Sequence, residues 1–236
     1  MTIRPLLTPI LGLALLLAGP TAATAVPSGF SARYKVSQDG QPLGVATISL
    51  RPGGDGSWLF SKDMKGTAGL AAILGAQTSE TSRFRWKHDV PEAISYDYRL
   101  RASIGGNKQR HLRVDWHTSQ VTVDEGKGPQ TFAALPGMVE RNTAPLAIGV
   151  ALADGLKDIA LPIAGRHDVQ VQHFGITGRE AIDVPAGRFQ AIRVDRTDAQ
   201  LGFSAWYAPG RFPLPVKLSQ HDGGDVTMEL VSFSSK

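Results

Sequence analysis

The 236-residue chain contains no cysteine, and this absence excludes a large block of chemistry. Without thiols there is no disulfide framework, thiolate nucleophile, zinc ribbon or iron–sulfur cluster, and no lipid can be carried on a processed N-terminal cysteine. Hydrolase signatures are missing as well: neither a Gly-x-Ser-x-Gly elbow nor a His-Glu-x-x-His helix occurs, and no Asp-x-Asp-x-Asp-Gly calcium loop is present. Runs of like charge are absent. Lys and Arg exceed Asp and Glu by only 25 to 21, scattered along the chain. Aromatic residues make up 7% and do not interleave with a basic patch, which argues against nucleic acid as a partner.

No apolar run is long enough to span a bilayer comfortably. The longest core, Leu6 to Ala18, is interrupted by Pro9 and Gly12, and a spanning helix needs about twenty apolar residues. With Arg4 before it and Gly19-Pro20 then Ala23-Thr24-Ala25 after it, the segment reads as a signal peptide cut between Ala25 and Val26. Its short length and cleavage-like end favour a cleaved signal over an uncleaved anchor, and the lack of an Arg-Arg pair argues against the twin-arginine route. The expected organisation is therefore residues 1–25 as signal peptide and 26–236 as a single β-rich domain in the periplasm. That length can bury a sizeable core.

What is present is mainly alternation. Phe30, Ala32, Tyr34 and Val36 share one face, and Asp39-Gly40 turns the chain into Leu43 to Leu50. Trp58 and Phe60 open another strand, followed by Arg83 to Lys87 with Phe84 and Trp86 in register. Ala93 to Ala102 and Gln109 to His117 form the clearest hairpin. Ile94, Tyr96, Tyr98 and Leu100 alternate with polar residues, and Leu112, Val114 and Trp116 answer them. Charge complementarity predicts Arg99 opposite Asp115 and Asp97 opposite His117, over an Ile104-Gly105-Gly106-Asn107 turn. Strands are also predicted over 169–174, 180–184, 189–196, 203–208, 216–220 and 226–233, the last two joined by Asp222-Gly223-Gly224-Asp225.

Helix is scarce. Asn142, Thr143, Ala144 and Pro145 form a capped start for one amphipathic helix over Leu146 to Leu156, packed on a sheet. Leu70-Ala71-Ala72-Ile73-Leu74, between Gly66 and Gly75, lacks alternation and reads as a short helix or ordered loop. The fold class is thus mainly β: one domain of antiparallel meander hairpins forming a strongly curved sheet or half-open barrel, with one or two short helices packed on it.

A family resemblance is carried by Phe30-Ser31-Ala32-Arg33-Tyr34 with Gly40 and Gly44, and by Val184-Pro185-Ala186-Gly187-Arg188-Phe189. Trp206-Tyr207-Ala208-Pro209, Leu214-Pro215-Val216 and the closing hairpin to Glu229-Leu230 fit the same pattern. Together these resemble the exported bacterial proteins of the domain of unknown function 3108 family across the whole mature chain. The resemblance implies a periplasmic, antiparallel β protein and assigns no catalytic residue. An open, curved sheet similar to that of lipoprotein-carrier proteins is a further expectation, by analogy of fold alone.

Candidate chemistry is sparse. His111, Arg113, Asp115 and His117 share a strand face, but the two histidines lie about 20 Å apart along a strand rising 3.3 Å per residue, too far to share an ion. A solvated sheet face explains them better than a metal site. Asp222 and Asp225 fit a hairpin loop, and Asp154 and Asp158 the edge and end of the helix. No catalytic residue, metal or cofactor is expected. Leu70, Ile73 and Leu74 suggest a lid across a concave face that accepts a hydrophobic or amphiphilic ligand, against the plainer reading of a packed helix or loop. Three functional classes follow: a non-enzymatic binder or carrier of an amphiphile such as a lipid, an envelope structural or interaction module, and an exported hydrolase with an unrecognised site.

Overall fold

A computed structural model describes residues 26–103, 106–199, 202–221 and 225–235. The segment read as a signal peptide (residues 1–25), Ile104 and Gly105 of the expected turn, and Asp222-Gly223-Gly224 of the expected hairpin loop lie outside the described residues. Val26 is the first described residue and is half-buried.

Among the described residues, fifteen strands form one sheet. In chain order its first arm is β1 (Phe30–Gln38), β2 (Gln41–Pro52), β3 (Trp58–Gly66), helix α1 (Gly69–Ile73), β4 (Gln77–Lys87), β5 (Val90–Arg101), β6 (Lys108–Asp115), β7 (Gln120–Asp124) and β8 (Gln130–Ala133). The second arm follows as β9 (Val139–Glu140), helix α2 (Ala144–Ala153), β10 (Asp158–Ala164), β11 (Val169–Val184), β12 (Gly187–Arg196), β13 (Phe203–Tyr207), β14 (Lys217–Gln220) and β15 (Val226–Ser235). Apart from β8 and β9, each strand pairs with its sequence neighbours, and β1 closes the middle by pairing antiparallel with both β2 and β15. Only β9 runs parallel to its neighbour, β10, at the far edge.

The alternation read from the sequence is realised in β1. Phe30, Ala32, Tyr34 and Val36 are buried, and across from them Leu50, Ile48 and Ala46 of β2 are buried too. Asp39 and Gly40 both have positive φ, 50° and 76°, as the two-residue hairpin between these strands requires. The sheet curls because both arms share one core: Phe60 and Phe84 of the first pack in the same cluster as Val194 and Ala205 of the second. At the seam, Ala164 of β10 joins Ala93, Tyr96, Leu112 and Val121 of β5 to β7. His167 Nδ1 lies 2.6 Å from Gln130 Oε1, and Ala93 N donates to Met138 O at 2.8 Å. The edge strands β8 and β9 do not pair, so the sheet is not closed into a barrel.

Three expectations are corrected. First, the β5–β6 register is not Arg99 with Asp115. Arg99 faces Gln109, Asp97 faces His111 and Tyr96 faces Leu112. This register still matches charge across the strands while placing Tyr96 and Leu112 together in the core. The Asp115 carboxylate is engaged by the following turn, where it accepts from His117 N at 2.8 Å, so Trp116 and His117 leave the strand. A bulge at Ile94 shifts the parity of β5, so Ala93 and Tyr96 both point inward.

Second, α2 is not amphipathic. Ala144, Leu146, Ala147, Ile148, Gly149, Val150 and Leu152 are buried around most of its circumference, because the curled sheet encloses it. Its start is also capped differently from the reading. Asn142 and Thr143 make no side-chain cap, and the Glu140 carboxylate accepts from the Asn142 and Thr143 amides at 2.7 and 3.2 Å. Leu156 falls beyond the helix and is exposed.

Third, residues 169–174 and 180–184 are one strand. β11 runs through Gly175 and Gly178 with a register shift between Ile176 and Gly178 instead of breaking.

Candidate functional site

The concave interior is filled. Tyr34, Phe60, Leu146, Ile148, Leu214 and their neighbours pack there, and beside Tyr34 and Met228 a gap of only about 30 Å³ remains. Tyr207 Oη donates to Pro145 O and Tyr34 Oη to Pro215 O, each at 2.9 Å, pinning α2 and the segment before β14 to the sheet. Burial pushes both phenols far above their usual pKa.

The residues expected to contact a ligand do not border this interior. Leu70 and Ile73 on α1 are 68% and 80% exposed. Leu74 is half-buried, and its carbonyl accepts from Ser103 N at 2.9 Å. His111 and Arg113 converge on a single carboxylate: His111 Nδ1 is 2.6 Å from Asp97 Oδ1, and Arg113 donates to both Asp97 oxygens at 3.1 and 3.2 Å. Burial raises the Asp97 carboxyl, and these hydrogen bonds outweigh it, holding the group below its usual range. Asp154 ends α2 and Asp158 begins β10. The Asp225 amide donates to Asp39 Oδ1 at 2.9 Å, and its carboxylate lies 2.5 Å from His221 Nδ1.

Open space lies instead at the end of the sheet formed by the β5–β6, β7–β8 and β10–β11 connections. An inner cleft of about 340 Å³ has Leu112, Ile163, Phe174 and Phe203 on its apolar walls and Arg110, Arg141, Arg166 and Arg196 among its polar ones. An outer cleft of about 830 Å³ shares Arg110, Arg141 and Arg166 with it. Seven cations line that outer cleft against one carboxylate, Glu125. Arg110 Nε approaches Glu125 at 2.5 Å and Arg166 Nε at 3.4 Å. Burial would raise the Glu125 carboxyl, but the two guanidinium groups hold it low. One carboxylate cannot neutralise the outer set, and in the inner cleft Glu140 and Asp168 stand against four arginines, so the clefts carry a net positive field that a low-dielectric wall concentrates.

Beneath the inner cleft lies a buried polar network. Tyr96 Oη donates to Glu80 Oε2 at 2.7 Å, and Lys62 Nζ lies 2.8 Å from Glu80 Oε1. Burial raises the Glu80 carboxyl, yet Lys62 and Arg141, with the hydrogen bond from Tyr96, bring it below its usual value. Glu140 goes the other way: burial pushes it up, hydrogen bonds from Ser82 and Thr143 oppose the rise, and the charge of Glu80 adds to it. Asn142 Nδ2 donates to Ser82 Oγ at 2.9 Å, while its Oδ1 is buried without a partner among the described residues. The network braces the stretch that carries Arg141.

This cationic site was missed in the sequence, although one signal was available. Lys108, Arg110, Leu112 and Val114 share one parity, so reading Leu112 as inward places Arg110 on the inner face, where its side chain is 12% exposed.

Comparison with known proteins follows the fold. The model of the family described as "Protein of unknown function (DUF3108)" matches residues 33–231. No curated protein matches the chain. Among solved structures, the crystal structure of a beta-barrel-like protein of domain of unknown function DUF1849 from Brucella abortus is similar. It shares 9% identity and a TM-score of 0.50, over 89% of this chain and 98% of that one. At that identity the likeness concerns fold alone, and it agrees with a curled antiparallel sheet.

Proposed function

The chain belongs to the DUF3108 family of proteins of unknown function, and from that premise we propose that it is a non-enzymatic periplasmic protein that binds an anionic amphiphile at its cationic clefts. The observation that carries this reading is the convergence of Arg110, Arg141 and Arg166 where the two clefts meet. Guanidinium groups suit carboxylate and phosphate oxygens, and hydrogen bonds to charged groups are about twice as strong as neutral ones. Leu112, Ile163, Phe174 and Phe203 offer an apolar wall beside those cations for the methylenes next to a head group. At about 340 Å³ the inner cleft is at the small end of ligand pockets. The filled interior leaves the rest of an acyl chain outside.

Titration of the chain, purified from the envelope, with a fluorescent fatty acid tests this. Saturable binding that weakens with salt is expected, and Arg141→Gln with Arg166→Gln should weaken it roughly tenfold or more, the scale of one charged hydrogen bond lost. Absence of saturable binding, or equal binding by the double variant, would overturn the proposal.

The filled interior favours a second reading, an interaction module that docks another envelope component on its cationic end. Crosslinking in cells that captures one partner through this end, with fatty-acid binding negative, would select it.

A further inference from the structure

We propose that α1 is a membrane-docking element, with Leu70 and Ile73 entering the interface of an anionic lipid surface while Lys65, Arg99 and Arg101 meet its head groups. The inference can be tested apart from ligand binding in the clefts, because Leu70 and Ile73 line neither cleft, although Arg99 and Arg101 border the outer one.

Leu70 and Ile73 are the most exposed large aliphatic side chains among the described residues, at 68% and 80%. Three residues apart on a helical turn, they share a face. The turn that presents them is held firmly. A Cβ on Gly66 would sit 2.7 Å from the Ala71 side chain, so helix and strand are in close contact on the opposite side. Gly66 N donates to Ala76 O at 2.9 Å, Ala76 N to Ala71 O at 2.9 Å and Ser103 N to Leu74 O at 2.9 Å. Gly69 and Gly75, with φ of 54° and 57°, take the chain into and out of the turn. The backbone is therefore already ordered, and inserting the two side chains requires little further loss of chain entropy.

Charge decides the kind of surface. Cross-strand pairing sets Val45, Lys65, Gln77 and Arg101 on one rung beside α1, and Thr47, Asp63, Ser79 and Arg99 on the next rung of the same face. Lys65, Arg99 and Arg101 thus stand on the face beside the apolar pair, with Asp63 as the carboxylate among them. Two aliphatic side chains fall far short of the roughly 1,200–2,000 Å² that a stable protein interface buries. Together with clustered cations they match an interfacial anchor, whose binding adds apolar burial to attraction for anionic lipid. Arg99 and Arg101 also border the outer cleft, so docking through α1 would turn that cleft toward the head groups.

Co-sedimentation of the purified chain with vesicles tests the proposal. Partitioning onto phosphatidylglycerol mixed with phosphatidylcholine should exceed that onto phosphatidylcholine alone and should fall as salt rises. Leu70→Ser with Ile73→Ser should reduce partitioning at least tenfold, since burying one such side chain is worth about that factor or more. Because both positions are exposed, the unfolding midpoint should be unchanged, and fatty-acid titration should match wild type. A positive vesicle result with a negative fatty-acid titration would uphold docking and reject cleft binding. Equal partitioning by the double-serine variant, no preference for anionic vesicles, or self-association lost in that variant without vesicle binding would overturn the proposal.

Discussion

The phenol of Tyr96 on β5 donates a 2.7 Å hydrogen bond to Glu80 on β4, across adjacent strands inside the curled sheet. Glu80 is 5% exposed and its other oxygen faces Lys62, so an ionised carboxylate is sustained in the wall by Lys62, the nearby charge of Arg141 and one neutral donor. Its burial makes each partner matter more than it would at the surface. Removing the phenol therefore leaves a charged acceptor short of a donor. Tyr96→Phe is expected to destabilise the fold by about 1.5–3 kcal/mol, the range for a hydrogen bond to a charged group. Urea unfolding at neutral pH measures it, and a loss below about 0.5 kcal/mol would show that water replaces the phenol.

Asp97 gives a pH-dependent prediction. Its folded-state pKa is depressed below the ordinary 3.8, because hydrogen bonds from His111 and Arg113 outweigh burial. A depressed carboxyl contributes stability above the unfolded-state value and loses it as pH falls through the lower folded-state value. Asp97→Asn should cost about 0.2–1 kcal/mol at pH near 7, the size of a partly exposed ion pair. The difference from wild type should shrink as pH falls below 3.8. Urea unfolding across that range checks it; a gap that persists undiminished in strong acid would contradict the assignment.

Gly149 marks the closest approach of α2 to the chain around it. A Cβ there would lie 2.0 Å from Pro213 O and 3.3 Å from the Tyr207 ring. Helix propensity favours Ala over Gly by about 1 kcal/mol, but a backbone carbonyl at that distance cannot yield without moving the segment. Gly149→Ala should therefore destabilise by about 1–3 kcal/mol, as overpacking does. A raised midpoint in thermal unfolding would mean that the contact is looser than the geometry states.

How far these features could be read from the residues differs by element. β1 was legible because one side of it is buried along its whole length, so period two survives into burial. The Asp39-Gly40 turn was legible because both positions need positive φ, which that pair accepts readily. The β5–β6 register was not, because charge complementarity alone fits more than one alignment of Arg99, Asp97 and the cations of β6. Core packing of Tyr96 against Leu112 and the turn chemistry of Asp115 selected among them. Nor was the bulge at Ile94, which changes which side chains point inward without interrupting the pattern.

The apolar stretch Leu70 to Leu74 was visible as a departure from alternation. Its exposure was not, because five small and apolar residues look alike whether they cover a cavity or project from a hairpin end. Ala71 against Gly66 determines which way the turn faces, and that contact belongs to the folded sheet.

Alternation, turns and the absence of thiols determined from sequence alone that this is an antiparallel β domain stabilised by packing. These properties depend on residues next to or near one another in the chain. The gathering of Arg110, Arg141 and Arg166 was decided only by tertiary structure, since a scattered set of cations acquires a shared field when the sheet curls and its two arms meet. Electrostatic neighbours are set by distance in space, and here that distance is fixed by register and curvature.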